Sequence, residues 1–344
     1  MHDRLLGALR SICSVRLVAA LRDERLGFPD SKDLRIFIPD VHLISDKRRI
    51  EGNFTFSTNH TDLLTALALA LSDLRSHAAG DEIIAIYQLG DFLDLWRETI
   101  NLDDQVDVAA QIKDDHEDLV SALMERKLKT RFLLGNHDFE LYRWPDYSAW
   151  DRRYFLPDTT AQAPSTIVLH GDIFDWVENL PDAVKAVFVY LFAPHLSPND
   201  YALGQMRALI KKSHRGRNYR TYIQAQKPAP IGVLQDGEVV PDRWNIQQQG
   251  SAPEENLRFL EEACNCCMEA NRSYRMNLRV AVIGHTHHAR IAVKETPAGE
   301  FFTLIDCGAW IEQCIASGET DPMPSAQIAA LSANEARIYQ LTPR

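Results

Sequence analysis

Five short clusters of aspartate, asparagine and histidine recur along the chain, each directly after an apolar run. The first, Asp40-Val41-His42, follows Leu34 to Ile38. In an extended chain residues two apart face the same side, so Asp40 and His42 can offer an oxygen and an imidazole nitrogen to one cation. Gly90-Asp91-Phe92-Leu93-Asp94 follows Ile83 to Leu89. Its glycine permits a sharp turn, Asp91 has two oxygens with which to bridge two cations, and Asp94 lies about one turn further on. Gly135-Asn136-His137-Asp138 follows Phe132 to Leu134 and adds a neutral amide oxygen suited to a divalent ion, with an imidazole able to supply a proton. His170-Gly171-Asp172 ends the run Thr166 to Leu169, and Gly284-His285-Thr286-His287 follows Val280 to Ile283. The spacing of His285 and His287 aims both imidazoles the same way, which leaves His288 to support the ligands from outside or to face solvent.

Taken singly, each cluster has an ordinary reading: a polar strand end, a helix N-cap with an acidic first turn, a turn, or a satisfied structural histidine. Taken together, Asp40, His42, Asp91, Asn136, His170, His285 and His287 supply nitrogen and oxygen donors for two adjacent divalent ions. Imidazole, amide and carboxylate donors suit Mn²⁺, with Fe, Zn, Co or Ni also compatible, better than they suit Ca²⁺.

Clusters of this kind need elements that bring distant loops to one place, and in α/β folds that place is beyond the carboxyl ends of strands. The apolar runs before the clusters read as strands, and Asp62 to His77, with Leu63, Leu67, Leu71 and Leu74 in helical spacing, reads as a helix, as does Asp104 to Lys127. Strands alternating with helices predict an α/β protein. Phe301 to Asp306 and Ala336 to Leu341 read as further strands. The expected organisation is an amino-terminal helical segment over 1–30, a core formed by 31–179 and 278–344, and an inserted, mainly helical cap over 180–277. The cap carries helical runs at Ala183 to Phe192, Tyr201 to Lys212 and Glu254 to Asn271 around a Pro- and Gly-rich section, Lys227 to Gly250. Its basic cluster, Lys211, Lys212, Arg215, Arg217 and Arg220, reads either as a solvated helix end or as a clamp for a second anionic part of a substrate, with Arg215, Arg217 and Arg220 as the substrate-binding candidates.

With 344 residues and 45% hydrophobic content, the chain can bury one large domain or a core with a cap. A net charge of -11 argues against stable nucleic-acid binding, so an anionic small-molecule substrate needs local positive charge, which bound metal ions supply. Arg4, Arg10, Arg16, Arg22 and Arg25 interrupt the apolar residues of the amino terminus, where a secretory signal would need an unbroken apolar stretch. The most apolar stretch, Ala186 to Ala193, is far shorter than the roughly 20 residues a membrane span needs. A cytoplasmic protein with no transmembrane segment is expected, touching a membrane peripherally if its substrate is a lipid. The six cysteines form neither a disulfide framework nor paired zinc spacing and read as reduced thiols.

In this order the clusters resemble the calcineurin-like metallophosphoesterase superfamily, whose pattern D-x-H, G-D-x-x-D, G-N-H-[DE], H and G-H-x-H is matched at every element from about Leu34 to Ile291, the cap excluded. The resemblance implies a sandwich of two mixed β-sheets flanked by helices. It further implies one metal held by Asp40, His42, Asp91 and His287, and another held by Asp91, Asn136, His170 and His285, with Asp91 as the bridge. His137 would stand beside the scissile bond as a catalytic residue, its ring held by Asp94. The implied reaction is hydrolysis of a phosphoester or pyrophosphate by in-line attack of a metal-bridging hydroxide. In wording the motifs are most similar to bacterial UDP-diacylglucosamine pyrophosphohydrolases, through Phe37 to Leu43, Gly90 to Trp96, Gly135 to Phe139, His170 to Asp172 and Gly308 to Trp310, although those enzymes often carry Arg in place of His137. A nucleotide-linked pyrophosphate is the corresponding substrate. The alternatives are a protein serine/threonine phosphatase, which would carry Asp-Arg-Gly and Glu where this chain has Asp94-Leu95-Trp96 and Asp138, and a catalytically silent scaffold of the same fold.

Overall fold

A computed structural model of the chain describes residues 1–26, 33–47, 58–80, 82–98, 104–124, 128–138, 141–142, 144–156, 164–174, 244–248, 254–274, 276–296, 299–310 and 326–344. Its strands are β1 (Ser14–Arg22), β2 (Leu34–Ile38), β3 (Ile84–Gln88), β4 (Arg131–Phe132), β5 (Arg153–Leu156), β6 (Thr166–Leu169), β7 (Trp244–Gln248), β8 (Val280–Ile283), β9 (Ala289–Glu295), β10 (Phe301–Cys307), β11 (Ala326–Leu331) and β12 (Glu335–Thr342). They form two mixed six-stranded sheets, ordered β1-β12-β11-β2-β3-β4 and β5-β6-β8-β10-β9-β7. Each sheet contains a parallel trio, β2, β3 and β4 in the first and β6, β8 and β10 in the second. Strands covered on both faces read as continuous apolar runs, and β8, with every residue apolar and buried, is one of these.

Apolar side chains from both sheets share one core: Phe37, Tyr87, Leu133 and Ile338 from the first meet Val168, Val282, Ile291 and Ile305 from the second. On the outer face of the first sheet, the helix Thr58–Ser76 buries Leu64, Leu67 and Leu71 together with Leu5 and Leu9 of the helix His2–Ile12. The helix Glu254–Tyr274 covers the outer face of the second, where Leu260, Ala263 and Cys267 lie in one cluster with Ala281, Ile283 and Leu304. The order of layers is therefore helix, sheet, sheet, helix, the α/β class that the alternation predicts.

The register carries the functional consequence. Ile38 pairs with Gln88 and Gln88 with Phe132, so Asp40, Asp91 and Asn136 emerge from adjacent strand ends. In the second sheet Val280 pairs with both Thr166 and Thr303, which brings out His170 and His285 in the same way.

Three local expectations differ from the structure. The amino-terminal stretch is helical only over His2–Ile12; Ser14–Arg22 is a strand along β12, because its apolar residues complete the shared core. The helical pattern over 104–127 divides into Gln105–Asp115 and Glu117–Met124 at His116, whose ring Nε2 lies 2.9 Å from the Ile44 carbonyl oxygen. Within 180–277, Trp244–Gln248 pairs with β9 and Glu254–Tyr274 packs on the second sheet, so both belong with the core layers. The remainder of the expected cap, including Lys211, Lys212, Arg215, Arg217 and Arg220, lies outside the described residues. Among the described residues no helix is long and apolar enough to cross a membrane, and Cys13, Cys264, Cys266, Cys267 and Cys307 are free thiols.

Candidate metal centre

The loops that follow β2, β3, β4, β6 and β8 meet at one end of the two sheets. Backbone bonds lock them together: Val41 and His42 N–H both donate to the Asp91 carbonyl at 3.0 and 2.8 Å, Trp310 N–H donates to the Asp40 carbonyl at 2.7 Å, and Gly284 N–H to the His170 carbonyl at 3.0 Å. His170 joins the sheets through its side chain as well, its Nδ1 lying 2.9 Å from the Leu89 carbonyl oxygen.

The side chains gather into two sets. In the first, His42 Nε2 lies 3.1 Å from His287 Nε2, 3.7 Å from Asp91 Oδ2 and 4.0 Å from Asp40 Oδ2, and His287 Nε2 is 3.2 Å from Asp40 Oδ2. In the second, His170 Nε2 lies 3.2 Å from Asp91 Oδ2 and 3.0 Å from Asn136 Oδ1, while His285 Nδ1 is 3.1 Å from Asn136 Oδ1 and 3.3 Å from His170 Nε2. Bonds of about 2.0–2.2 Å to one cation place neighbouring donors roughly 3.0–3.5 Å apart, the spacing most of these pairs show. His170 directs Nδ1–H at a carbonyl, so in its neutral form the Nε2 lone pair faces two further acceptor oxygens, an arrangement suited to a proton or a metal cation between them. Asp40, His42 and His287 could hold one ion, and Asp91, His170 and His285 another. Asn136 faces the second set, and Asp91 Oδ2 is common to both.

Electrostatics support the same picture. Burial opposes charge on Asp91, but His170 and His137 beside it outweigh that and hold its carboxyl well below the usual range; burial also opposes charge on Asp40, and His170 and His287 reverse it. Burial lowers His170, while Asp91 and Asp40 raise it well above its ordinary value overall. The pocket thus favours positive charge at its centre.

Backbone conformation is specialised here. Among the described non-glycine residues, positive φ occurs at His42 (55°), Asp91 (48°), His285 (65°), His287 (59°) and Lys129 (48°). Left-handed backbone at a branched or ring-bearing residue costs on the order of 1–3 kcal/mol and persists where surrounding contacts dictate it. This changes the route by which one expectation is met and overturns another. Asp40 and His42 do converge, but by a turn at His42 rather than by extended alternation. His285 and His287 do not point the same way: one joins Asn136 and His170, the other Asp40 and His42.

Gly135 is required by close approach. A Cβ there would run into Asp91 Oδ1, the oxygen that accepts His137 N–H at 2.8 Å. If these residues hold a divalent ion, Gly135→Ala is expected to weaken its binding, read with Mn²⁺ as the probe, by about tenfold or more, the scale on which displaced ligand supports act. Gly80→Ala, whose added carbon meets nothing within 4 Å, serves as the matched control in the same calorimetric titration.

His137 and Asp94 lie beside the donors. His137 Nδ1 is 2.7 Å from Asp94 Oδ1, which leaves Nε2 turned inward, 4.0 Å from Asp91 Oδ2. The other Asp94 oxygen is 3.3 Å from His42 Nδ1, so one carboxylate faces both rings. His288 joins neither donor set, its N–H donating to Thr286 Oγ1 at 3.2 Å.

Two supports went unassigned in the sequence. Asp138, fully buried, accepts N–H bonds from Gly135 at 2.7 Å, Phe92 at 2.9 Å and Leu93 at 3.3 Å, tying the loops after β3 and β4 together. Burial and then Asp91 push its carboxyl up to about 7 against those bonds. Asp306, also fully buried, sits in β10. Its signal was an acidic residue within the apolar run Phe301 to Cys307, since a polar residue inside such a run is the informative exception. No protein-family model matches the chain, and no curated protein matches it.

Proposed function

We propose that the chain is a two-metal phosphohydrolase of the calcineurin-like metallophosphoesterase superfamily, cleaving a phosphoester or pyrophosphate bond. The observation that carries this reading is the pair of donor sets sharing one carboxylate oxygen, Asp91 Oδ2. The two mixed sheets with outer helices are compatible with that superfamily's sandwich, and the motif series supports it.

Asp40, His42, Asp91 and His287 would hold one ion, and Asp91, Asn136, His170 and His285 the other. When bound, such ions supply Lewis acidity toward water and toward phosphoryl oxygens. Asp94 accepts from Nδ1–H of His137, so the doubly protonated ring would hand its Nε2 proton to the departing oxygen and be left as the neutral Nδ1–H tautomer. Asp138 holds the loops carrying Asp91 and Asn136 in register. A nucleotide-linked pyrophosphate is the substrate class we favour, on the motif wording of Phe37 to Leu43 and Gly308 to Trp310.

Chelation is expected to abolish hydrolysis, and Mn²⁺ to restore it, in a panel of phosphomonoesters, phosphodiesters and nucleoside-diphosphate-linked pyrophosphates. Full turnover by protein shown by elemental analysis to be metal-free would overturn the reading, because none of the residues named polarises water unaided.

A further inference from the structure

Thr286 sits between two of the metal-donor imidazoles. Its N–H donates to the Gly284 carbonyl at 2.8 Å, closing a three-residue turn around His285. With φ 65° at the centre, this is the strained hand of that turn. His287, one residue on, is again left-handed, with φ 59°. A short peptide does not hold two such residues in near succession without outside contacts.

Those contacts come from the second sheet. The Thr286 hydroxyl donates to Asp306 Oδ2 at 2.5 Å. The same oxygen lies 2.9 Å from Nη2 of Arg290, the cross-strand partner of Asp306 in the β9–β10 pair. Arg290 and Asp306 are both fully buried. Arg290 Nε and Nη1 and Asp306 Oδ1 have no hydrogen-bond partner among the described residues. A buried ion pair satisfied this incompletely contributes little stability, and apolar residues of similar volume commonly do as well or better. Its position directly beneath the ligand turn, rather than its energy, is what distinguishes it.

We propose that Thr286, Asp306 and Arg290 are positioning residues that hold the 285–287 turn in its left-handed form, so that His285 and His287 splay to opposite donor sets. Arg290 neutralises and aims the Asp306 carboxylate, Asp306 anchors the Thr286 hydroxyl, and the hydroxyl pins the turn. This rests on the two-metal reading. It adds that the division of the imidazoles between the ions is imposed by β9 and β10.

The test uses the full chain and Mn²⁺ alone, by calorimetric titration, with the absorption spectrum of the Co²⁺-loaded protein as an independent report on ligand geometry. Thr286→Val is expected to lose about 10–100-fold in Mn²⁺ affinity, the usual cost of removing a partner that orients ligands, and to change the Co²⁺ spectrum. Thr286→Ser, which keeps the hydroxyl, is expected to restore both. The double variant Arg290→Met with Asp306→Leu guards against a folding defect: its metal-free form is expected to melt at or above the wild-type temperature, yet to bind Mn²⁺ as weakly as Thr286→Val. Wild-type affinity and spectrum in Thr286→Val or in the double variant would overturn the proposal, as would a double variant that loses thermal stability while binding Mn²⁺ normally. A wild-type chain that takes up no Mn²⁺ would instead overturn the two-metal reading, and this inference with it.

Discussion

Asp91→Ala protein is expected to retain little Mn²⁺ at either donor set and to lose phosphohydrolase activity by about 10⁴-fold or more, the scale on which members of an interdependent catalytic unit act. Asp91 Oδ2 lies 3.2 Å from His170 Nε2 and 3.7 Å from His42 Nε2, within reach of both sets. Its second oxygen orders the loop after β4 by accepting His137 N–H, so truncation disturbs Asn136 as well. Asn136→Ala, by contrast, removes a donor from the second set alone and is expected to leave the first occupied. Equilibrium dialysis against Mn²⁺ followed by elemental analysis separates the two variants. Full occupancy in Asp91→Ala would remove that residue from the bridging role.

His137→Ala should behave in the opposite sense, keeping its metal while losing about 10²–10⁴-fold in kcat, the usual contribution of a positioned general acid. The ring is buried, its Nδ1 is committed to Asp94, and its Nε2 faces the shared oxygen from 4.0 Å, further than either ligand imidazole facing that oxygen. His137 could also be grouped as a donor with His42 and Asp91, so metal content is the deciding measurement. An emptied site in His137→Ala would make it a ligand. If it is the acid, the loss should shrink for a nitrophenyl phosphoester, whose leaving group departs without a proton; an equal loss on all substrates would count against proton donation.

Much of the candidate site was legible because its chemistry is local in sequence. Donor-bearing residues stand after short, mainly apolar runs, and a run of three to seven such residues ending in a polar cluster reads as a buried strand reaching its loop. Hence Asp40, His42, Asp91, Asn136, His170, His285 and His287, with His137 and Asp94, could be named from order and spacing, and the structure gathers all of them at one end of the sheets. The α/β alternation was legible for the same reason. Less legible were Ser14–Arg22 and Trp244–Gln248, edge strands whose partners, β12 and β9, lie well separated from them in sequence.

The residue sequence by itself determined which donors exist and that they sit at strand ends, because side-chain type and hydrophobic period are properties of short stretches. The motif resemblance implied how the donors divide, but only the tertiary structure gives the physical reason. Alternation along a strand assigns His285 and His287 to one side, yet left-handed backbone at both sends them to different sets, and that conformation depends on packing against β9 and β10. The buried supports were hidden for the same reason. Asp138 and Asp306 act through backbone groups and a hydroxyl supplied by other segments, and which segments arrive beside a buried carboxylate is set by strand order and register.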